Sequence, residues 1–463
     1  MVADAGSFRD PSGQIFSENG RIYRSIFQPG VDDYEAARDA GVYTDLMEEG
    51  LLVSHEEVPA GPSSPQGTVI CLAHPRLPMI SYPWEWPFSI LKDAALIHLK
   101  AMEKILPRGF WLRDASAFNA QFDGSRVVLI DTLSVGKRVP ESPWVAYGQF
   151  CSHFLAPLAM AAYSDIRMLS LWRSFIDGFP LDLAAGAIPF WRRWRPGLLM
   201  HLALHARAQD LADRKEDIAG KGPPKIAKKQ PRVSDRGLIG LIRSLHRTIE
   251  GIRWKRSSRL WEAYGDIRTY QDEDVTRKSE YVDKVAGALN PDTVWDLGAN
   301  TGEFSLIAAS HGAFVVSIDG DPACTEYLYQ KACADKSKSI LPLTMDLANP
   351  SPGLGWDSRE RFSLTDRGPA DLVLALALIH HLVLSACVPI KMVAQWLGTL
   401  CQDLLVEFVP PDDPMVKKLI RNRRGEHLPY SMEVFQTGFG QFFSFEDQET
   451  LPNGRTLFLL RRL

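Results

Sequence analysis

In the run VWDLGANTG at positions 294–302, a short apolar strand passes through a turn with two glycines into a helix. That order constrains the fold more than any other feature of the chain. A strand that stops near Gly298 and restarts as a helix near Gly302 aims backbone N–H groups at one point on a sheet edge. Gly298 and Gly302 are expected where a side chain would collide. About 20 residues on, FVVSID ends a second strand on Asp319, where a carboxylate can accept both hydroxyls of a ribose.

From about Asp274 the pattern alternates. VWDL, FVVSID, ILPLT, DLVLALAL and DLLVEFV read as strands, separated by helices starting near Gly302, Pro322 and Lys391. Strand–helix alternation with continuous apolar strands implies a parallel sheet covered on both faces. At the end, QFFSF and RTLFLLRR flank Asn453-Gly454, a hairpin signal, so an antiparallel pair should close the sheet.

The charge pattern marks a boundary. Net charge over the 463 residues is −4, yet between Ala212 and Leu260 there are 14 Lys and Arg against five acidic residues. GKGPPKIAKKQP at 220–231 reads as a solvated linker, and Leu238, Leu241, Ile242, Leu245 and Ile249 follow at helical spacing. The expected organisation is an N-terminal α+β domain at 1–210, a basic linker and helix at 211–270, and a doubly wound α/β domain at 271–463. Trp254, Trp261 and Tyr264 lie among the basic residues, but a linker and docking helix explain them, so nucleic-acid binding should be weak and salt-sensitive. The six cysteines show no metal or redox spacing, no metal site is expected, and no apolar run is long enough to span a bilayer. Asp4, Arg9 and Asp10 stand where an export signal would need a basic cap and an apolar run, which leads us to expect a cytoplasmic location.

Two glycines rather than three disfavour a dinucleotide, whose pyrophosphate needs closer backbone approach. From Asp296 to Gly302 the chain resembles the class I S-adenosylmethionine (SAM) methyltransferases, with Asn300 in place of a middle glycine; Asn also tolerates left-handed backbone angles. The resemblance covers about Asp274 to Leu463 and implies a Rossmann-like fold with SAM as cofactor. It implies that Gly298, Ala299, Asn300 and Gly302 cradle the methionine portion, that Asp296 orients the loop or the amino group, that Asp319 binds the ribose, and that Asp346 and Leu347 flank the adenine. A turn or helix-cap role for Asp346 is equally compatible with its position.

His380 and His381 follow the fourth strand, expected at Asp371–Leu378, at the edge where open α/β sheets bind ligands. A histidine there can take a proton from an acceptor hydroxyl. Glu407 ends the fifth strand on the same edge, and the three are the candidate catalytic residues. His427 and Tyr430 lie later, with surface and packing roles expected. The sequence lacks the acidic-or-Asn-Pro-Pro-aromatic tetrad of amino-methylating DNA enzymes, and the cysteine–proline order needed for base carbon methylation. A small-molecule or saccharide acceptor, methylated on oxygen or nitrogen, is the expectation.

The first 210 residues carry a second pattern. Leu112-Arg113-Asp114 through Asn119, then Gln121-Phe122 and the strand Val127–Asp131, resemble the catalytic loop and metal-binding strand of protein kinases and aminoglycoside phosphotransferases. That implies Asp114 as base and Asn119 and Asp131 as magnesium ligands. No lysine precedes Lys92 to clamp a phosphate, and Thr132-Leu133 replaces Phe-Gly. The alternative function is thus a phosphotransferase, or a degenerate kinase-like binding module beside a regulatory SAM site. The chain as a whole is similar to a family of bacterial two-part methyltransferases, some of them nodulation-linked.

Overall fold

The computed structural model describes residues 2–203, 232–255, 272–337, 339–422 and 427–463. The linker expected at 220–231, and Trp261 and Tyr264, lie outside the described residues. Strands β1 (Val2–Ala3), β2 (Gly13–Glu18), β3 (Arg21–Ile26), β4 (Glu56–Val58) and β5 (Ile70–His74) form an antiparallel sheet in the order β1-β2-β3-β5-β4. Short pairs follow: β6 (Phe110–Leu112) with β9 (Val135–Lys137), and β7 (Ala120–Asp123) with β8 (Arg126–Leu129). Asp131 does not continue β8; its carboxylate accepts from the N–H of Leu133 and caps a turn at Thr132–Ser134.

The helix Phe88–Ile105 is buried over most of its length and runs through the core, with Lys100 and Glu103 at the surface. Against it packs the helix Asp235–Gly251, whose Leu238, Ile242, Leu245 and Ile249 are fully buried, as their spacing predicts. Ser234 caps this helix through the N–H of Gly237. The buried Lys92 reaches its C-terminal end and donates to the carbonyls of Glu250 and Ile252 at 2.9 and 3.1 Å.

The C-terminal sheet contains β10 (Thr293–Leu297), β11 (Phe314–Asp319), β12 (Ile340–Thr344), β13 (Ala370–Ala375), β14 (Cys401–Phe408), β15 (Phe443–Thr450) and β16 (Thr456–Arg462). Its order is β12-β11-β10-β13-β14-β16-β15, with the first five parallel and β16 antiparallel to both β14 and β15. Crossovers run outward in both directions from β10, so the switch point lies between β10 and β13. Gly454, at φ 82°, turns the expected hairpin. β13 ends at Ala375, three residues before the predicted end, because Ala377 at φ 51° leaves the extended region.

The two halves share buried contacts. Glu85 and Arg367, both almost fully buried, form a two-pronged ion pair at 2.6 and 2.8 Å. Ser89 donates to Glu326 and Tyr329 to Asp93, and the Tyr82 hydroxyl accepts from the N–H of Phe362. All six cysteines are free thiols.

Candidate functional site

The loop between β10 and the helix Glu303–Ser310 carries three left-handed residues, Gly298 (φ 83°), Asn300 (φ 49°) and Gly302 (φ 82°). The expectation that both glycines avoid collisions holds for one. A Cβ on Gly302 would fall 2.5 Å from the Leu328 side chain, whereas one on Gly298 would make ordinary contact with Leu378 at 3.7 Å. Gly298 is needed for its backbone angle alone.

Asp319 ends β11 directly beside this loop. Its Oδ2 accepts from the N–H of Asn300 and its Oδ1 from the N–H of Asp321, both at 2.8 Å. A carboxylate has about four lone-pair positions, so each oxygen can accept one more bond. Burial raises the Asp319 pKa, opposed by the N–H donors of Asp321 and Asn300.

Asp296 lies beneath the loop, buried, and accepts from the Ser305 hydroxyl at 2.6 Å; Ser317 in turn donates to Ser305. Burial pushes its carboxyl up to about 6. Ala299 is buried under the loop and Asn300 is exposed at its crest. Asp346 is exposed after β12 and closes a turn by accepting from the N–H of Ala348, while Leu347 packs against the core.

The structure brings His380 and His381 together, with ring centroids 4.2 Å apart, at the start of the short helical segment after β13. His380 is buried and His381 exposed. Burial holds the His380 pKa well below its ordinary value, with His381 and the cations Arg455 and Lys278 lowering it further.

Glu407 is fully buried, and its carboxylate accepts from Lys278 Nζ at 2.6 Å and from Arg455 at 3.4 Å. Arg455 also binds the buried Asp413 at 2.9 Å. Lys278 comes from the helix Asp272–Leu289 and Arg455 from the closing hairpin, and sequence reasoning missed both. One signal for such a network was visible: a lone acid inside the apolar run LLVEFV requires buried cations. His427 is exposed and bonds the Leu428 carbonyl; the Tyr430 hydroxyl donates to the Val409 carbonyl and its ring stacks on Phe408, as packing roles require.

In the N-terminal half, Asp114, Asn119 and Asp131 line one cavity with Arg24. Arg24 forms an ion pair with Asp131 at 2.8 Å. Among the described residues, no group of three or more His, Cys, Asp or Glu is placed to hold a metal ion. No helix among them is long and apolar enough to cross a membrane.

No known protein-family profile matches the chain. Among solved structures, magnesium protoporphyrin IX methyltransferase from Synechocystis PCC 6803 with bound SAH aligns with 44% of this chain and 93% of its own, at 21% identity and a TM-score of 0.31. The N-methyltransferase NodS from Bradyrhizobium japonicum WM9 aligns with 42% of this chain and 98% of its own, at 12% identity and a TM-score of 0.31. Nodulation protein NoeA of Rhizobium meliloti (strain 1021) is 34% identical over 467 residues, spanning 99% of this chain and 96% of that protein. With both chains aligned almost end to end, this chain belongs to the family of nodulation protein NoeA.

Proposed function

We propose that this chain is a SAM-dependent methyltransferase acting on a small-molecule or saccharide acceptor through oxygen or nitrogen. The observation that carries the reading is the Asp319 carboxylate, tied to the glycine loop through Asn300 and still able to accept two hydroxyls. That arrangement suits the ribose of a nucleoside ligand, with the loop from Gly298 to Gly302 beside its amino-acid portion and Asp346 and Leu347 at the adenine. Asp296 sets the loop from beneath through Ser305. SAM supplies an electrophilic methyl group on a sulfonium and needs no metal.

The protein's own part is to place the acceptor and remove its proton. Burial keeps His380 neutral over the physiological range, so its imidazole can accept a hydrogen bond from an acceptor hydroxyl although full protonation is disfavoured there, and the exposed His381 presents a second imidazole that can take the proton on to solvent. Glu407 is held by two cations, so we assign it a positioning role: it anchors Lys278 and Arg455 at the carboxyl edge of the sheet. The domain division at 1–210, 211–270 and 271–463 is part of the same proposal. It keeps the methyltransferase sheet in the last segment and assigns the first an accessory role.

The test is formation of S-adenosylhomocysteine (SAH) from SAM with fractionated small-molecule and saccharide acceptors. One fraction should support turnover in the wild type, and His380→Ala or His381→Ala should lower it by about 10²–10⁴-fold with SAM affinity retained. Full turnover in both variants would remove the histidines from the mechanism, and no SAH with any fraction would count against the activity.

A further inference from the structure

A cavity of about 370 Å³ opens between the β2–β3 hairpin, the loop from Asp114 to Asn119 and a segment of the C-terminal half at Glu360–Phe362. That volume suits a ligand of one or two rings. The cavity is built from both halves. Glu360 is held by Arg9 at 2.6 and 2.9 Å, Phe362 by the Tyr82 hydroxyl, and the Arg361 guanidinium lies 4.2 Å over the Phe118 ring.

Three buried nitrogen atoms on its lining lack hydrogen-bond partners: Arg24 Nε, Asn119 Nδ2 and Arg361 Nε. A buried donor without a partner costs about 1–3 kcal/mol, so three around one cavity call for a ligand with acceptors. The same lining carries acceptors. Asp114 accepts from the N–H of Ser116, and the Gln149 and Asn119 side chains help to hold its charge. Burial and then the neighbouring Asp131 raise its pKa.

These two facts select the ligand chemistry. An anion would meet the donors but face Asp114 and Asp131, and a cation would meet the carboxylates and leave the donors bare. Magnesium triphosphate would also have to displace Arg24 from Asp131. A hydroxyl donates one bond and accepts two, so neighbouring hydroxyls on a ring satisfy both sets at once. The C–H face of such a ring would rest on Ile15, Ile22 and Phe118.

We infer that this cavity binds a ring carrying vicinal hydroxyls, the chemistry shared by a saccharide and the ribose of a nucleoside. The site is independent of the SAM reading, although the chain that leaves Asp346 after β12 goes on to supply Arg361.

The experiment is saturation-transfer NMR on the full chain with cellobiose, maltose, adenosine, 2′,3′-dideoxyadenosine and ATP with Mg²⁺. It is run in an Asp319→Ala background with no SAM or SAH added, so that binding at the cofactor edge is weakened and no other ribose competes for the cavity. A saccharide signal identifies the sugar source, and an adenosine signal absent with the dideoxy analogue identifies the ribose source; either supports the inference. The positive ligand should then bind about 10-fold or more weakly to Asp114→Asn and to Asn119→Ser, with both variants melting within a few degrees of the wild type. No transfer from any probe at about 10 mM, a signal from ATP with Mg²⁺ alone, or binding unchanged in both folded variants would overturn it.

Discussion

The backbone N–H of Asn300 donates to Oδ2 of Asp319 at 2.8 Å, so the acid that ends β11 is fastened to the loop that leaves β10. Asn300 itself sits at φ 49°, in left-handed backbone space. Asn300→Gly keeps both the angle and the donor, and should keep stability and SAH affinity close to wild type. Asn300→Val forces a β-branched residue into left-handed space and should cost about 1–2 kcal/mol, read by urea denaturation. Equal stability of the two variants would mean that the backbone angle is not what holds the loop.

The two glycines of the loop should respond differently. Both carry positive φ, which costs a non-glycine residue about 1–2 kcal/mol, but only Gly302 also meets the buried Leu328 at 2.5 Å. Adding overpacking of about 1–3 kcal/mol, Gly302→Ala should be clearly less stable than Gly298→Ala in denaturant melts. The reverse order would contradict the packing.

The Glu85–Arg367 pair joins the halves with almost no exposure of either side chain, and Tyr82 also donates its N–H to Glu85. Arg367→Ala leaves a buried carboxylate uncompensated and should destabilise the protein by about 3–5 kcal/mol. The double variant Glu85→Gln with Arg367→Met removes both charges and should lose much less. A double variant worse than the sum of the single changes would show the pair to be more than a matched charge.

Acid should weaken the fold well above the range of ordinary carboxylates. Burial lowers the pKa of His98 and His153 to about 4 and of His74 to about 3. A lowered histidine pKa means that the unfolded chain binds the proton first. Its stabilising effect is complete above about pH 6.5 and is lost as pH falls toward the folded pKa. Asp296, raised to about 6, acts in the opposite sense, stabilising in acid and losing that contribution as pH rises through about 6. His380, also lowered, adds to these histidines, and Asp114 and Asp319, also raised, add to Asp296; where the histidines prevail, stability falls toward pH 5 by about 1.4 kcal/mol per pH unit for each proton taken up on unfolding. His98→Phe, beside Phe154, should flatten that slope by about one proton. A stability flat from pH 6.5 to 5 would contradict the buried neutral histidines.

Much of the C-terminal half was legible because its signals are local. VWDL, FVVSID and ILPLT are apolar on both faces and became β10, β11 and β12, and Asn453-Gly454 became the hairpin turn. The early end of β13 was not legible, since Ala377 is no turn former and tertiary packing sets its angle. Lys278 and Glu407 are 129 residues apart, and Glu85 and Arg367 are 282 apart, so neither pair leaves a spacing to find. Arg24 carries no local sequence signal of its partner. Its bond to Asp131 appears once β3 lies beside the turn that Asp131 caps.

The central claim, that the β10–β11 edge holds SAM through Asp319, is tested most directly by calorimetric titration with SAH and with NAD of the wild type and of Asp319→Ala. SAH should bind the wild type and NAD should not. Asp319→Ala, folded by circular dichroism, should bind SAH about 10–100-fold more weakly, because bonds to a charged carboxylate contribute about 1.5–3 kcal/mol. Unchanged SAH affinity in the folded variant, or binding of NAD in place of SAH, would contradict it.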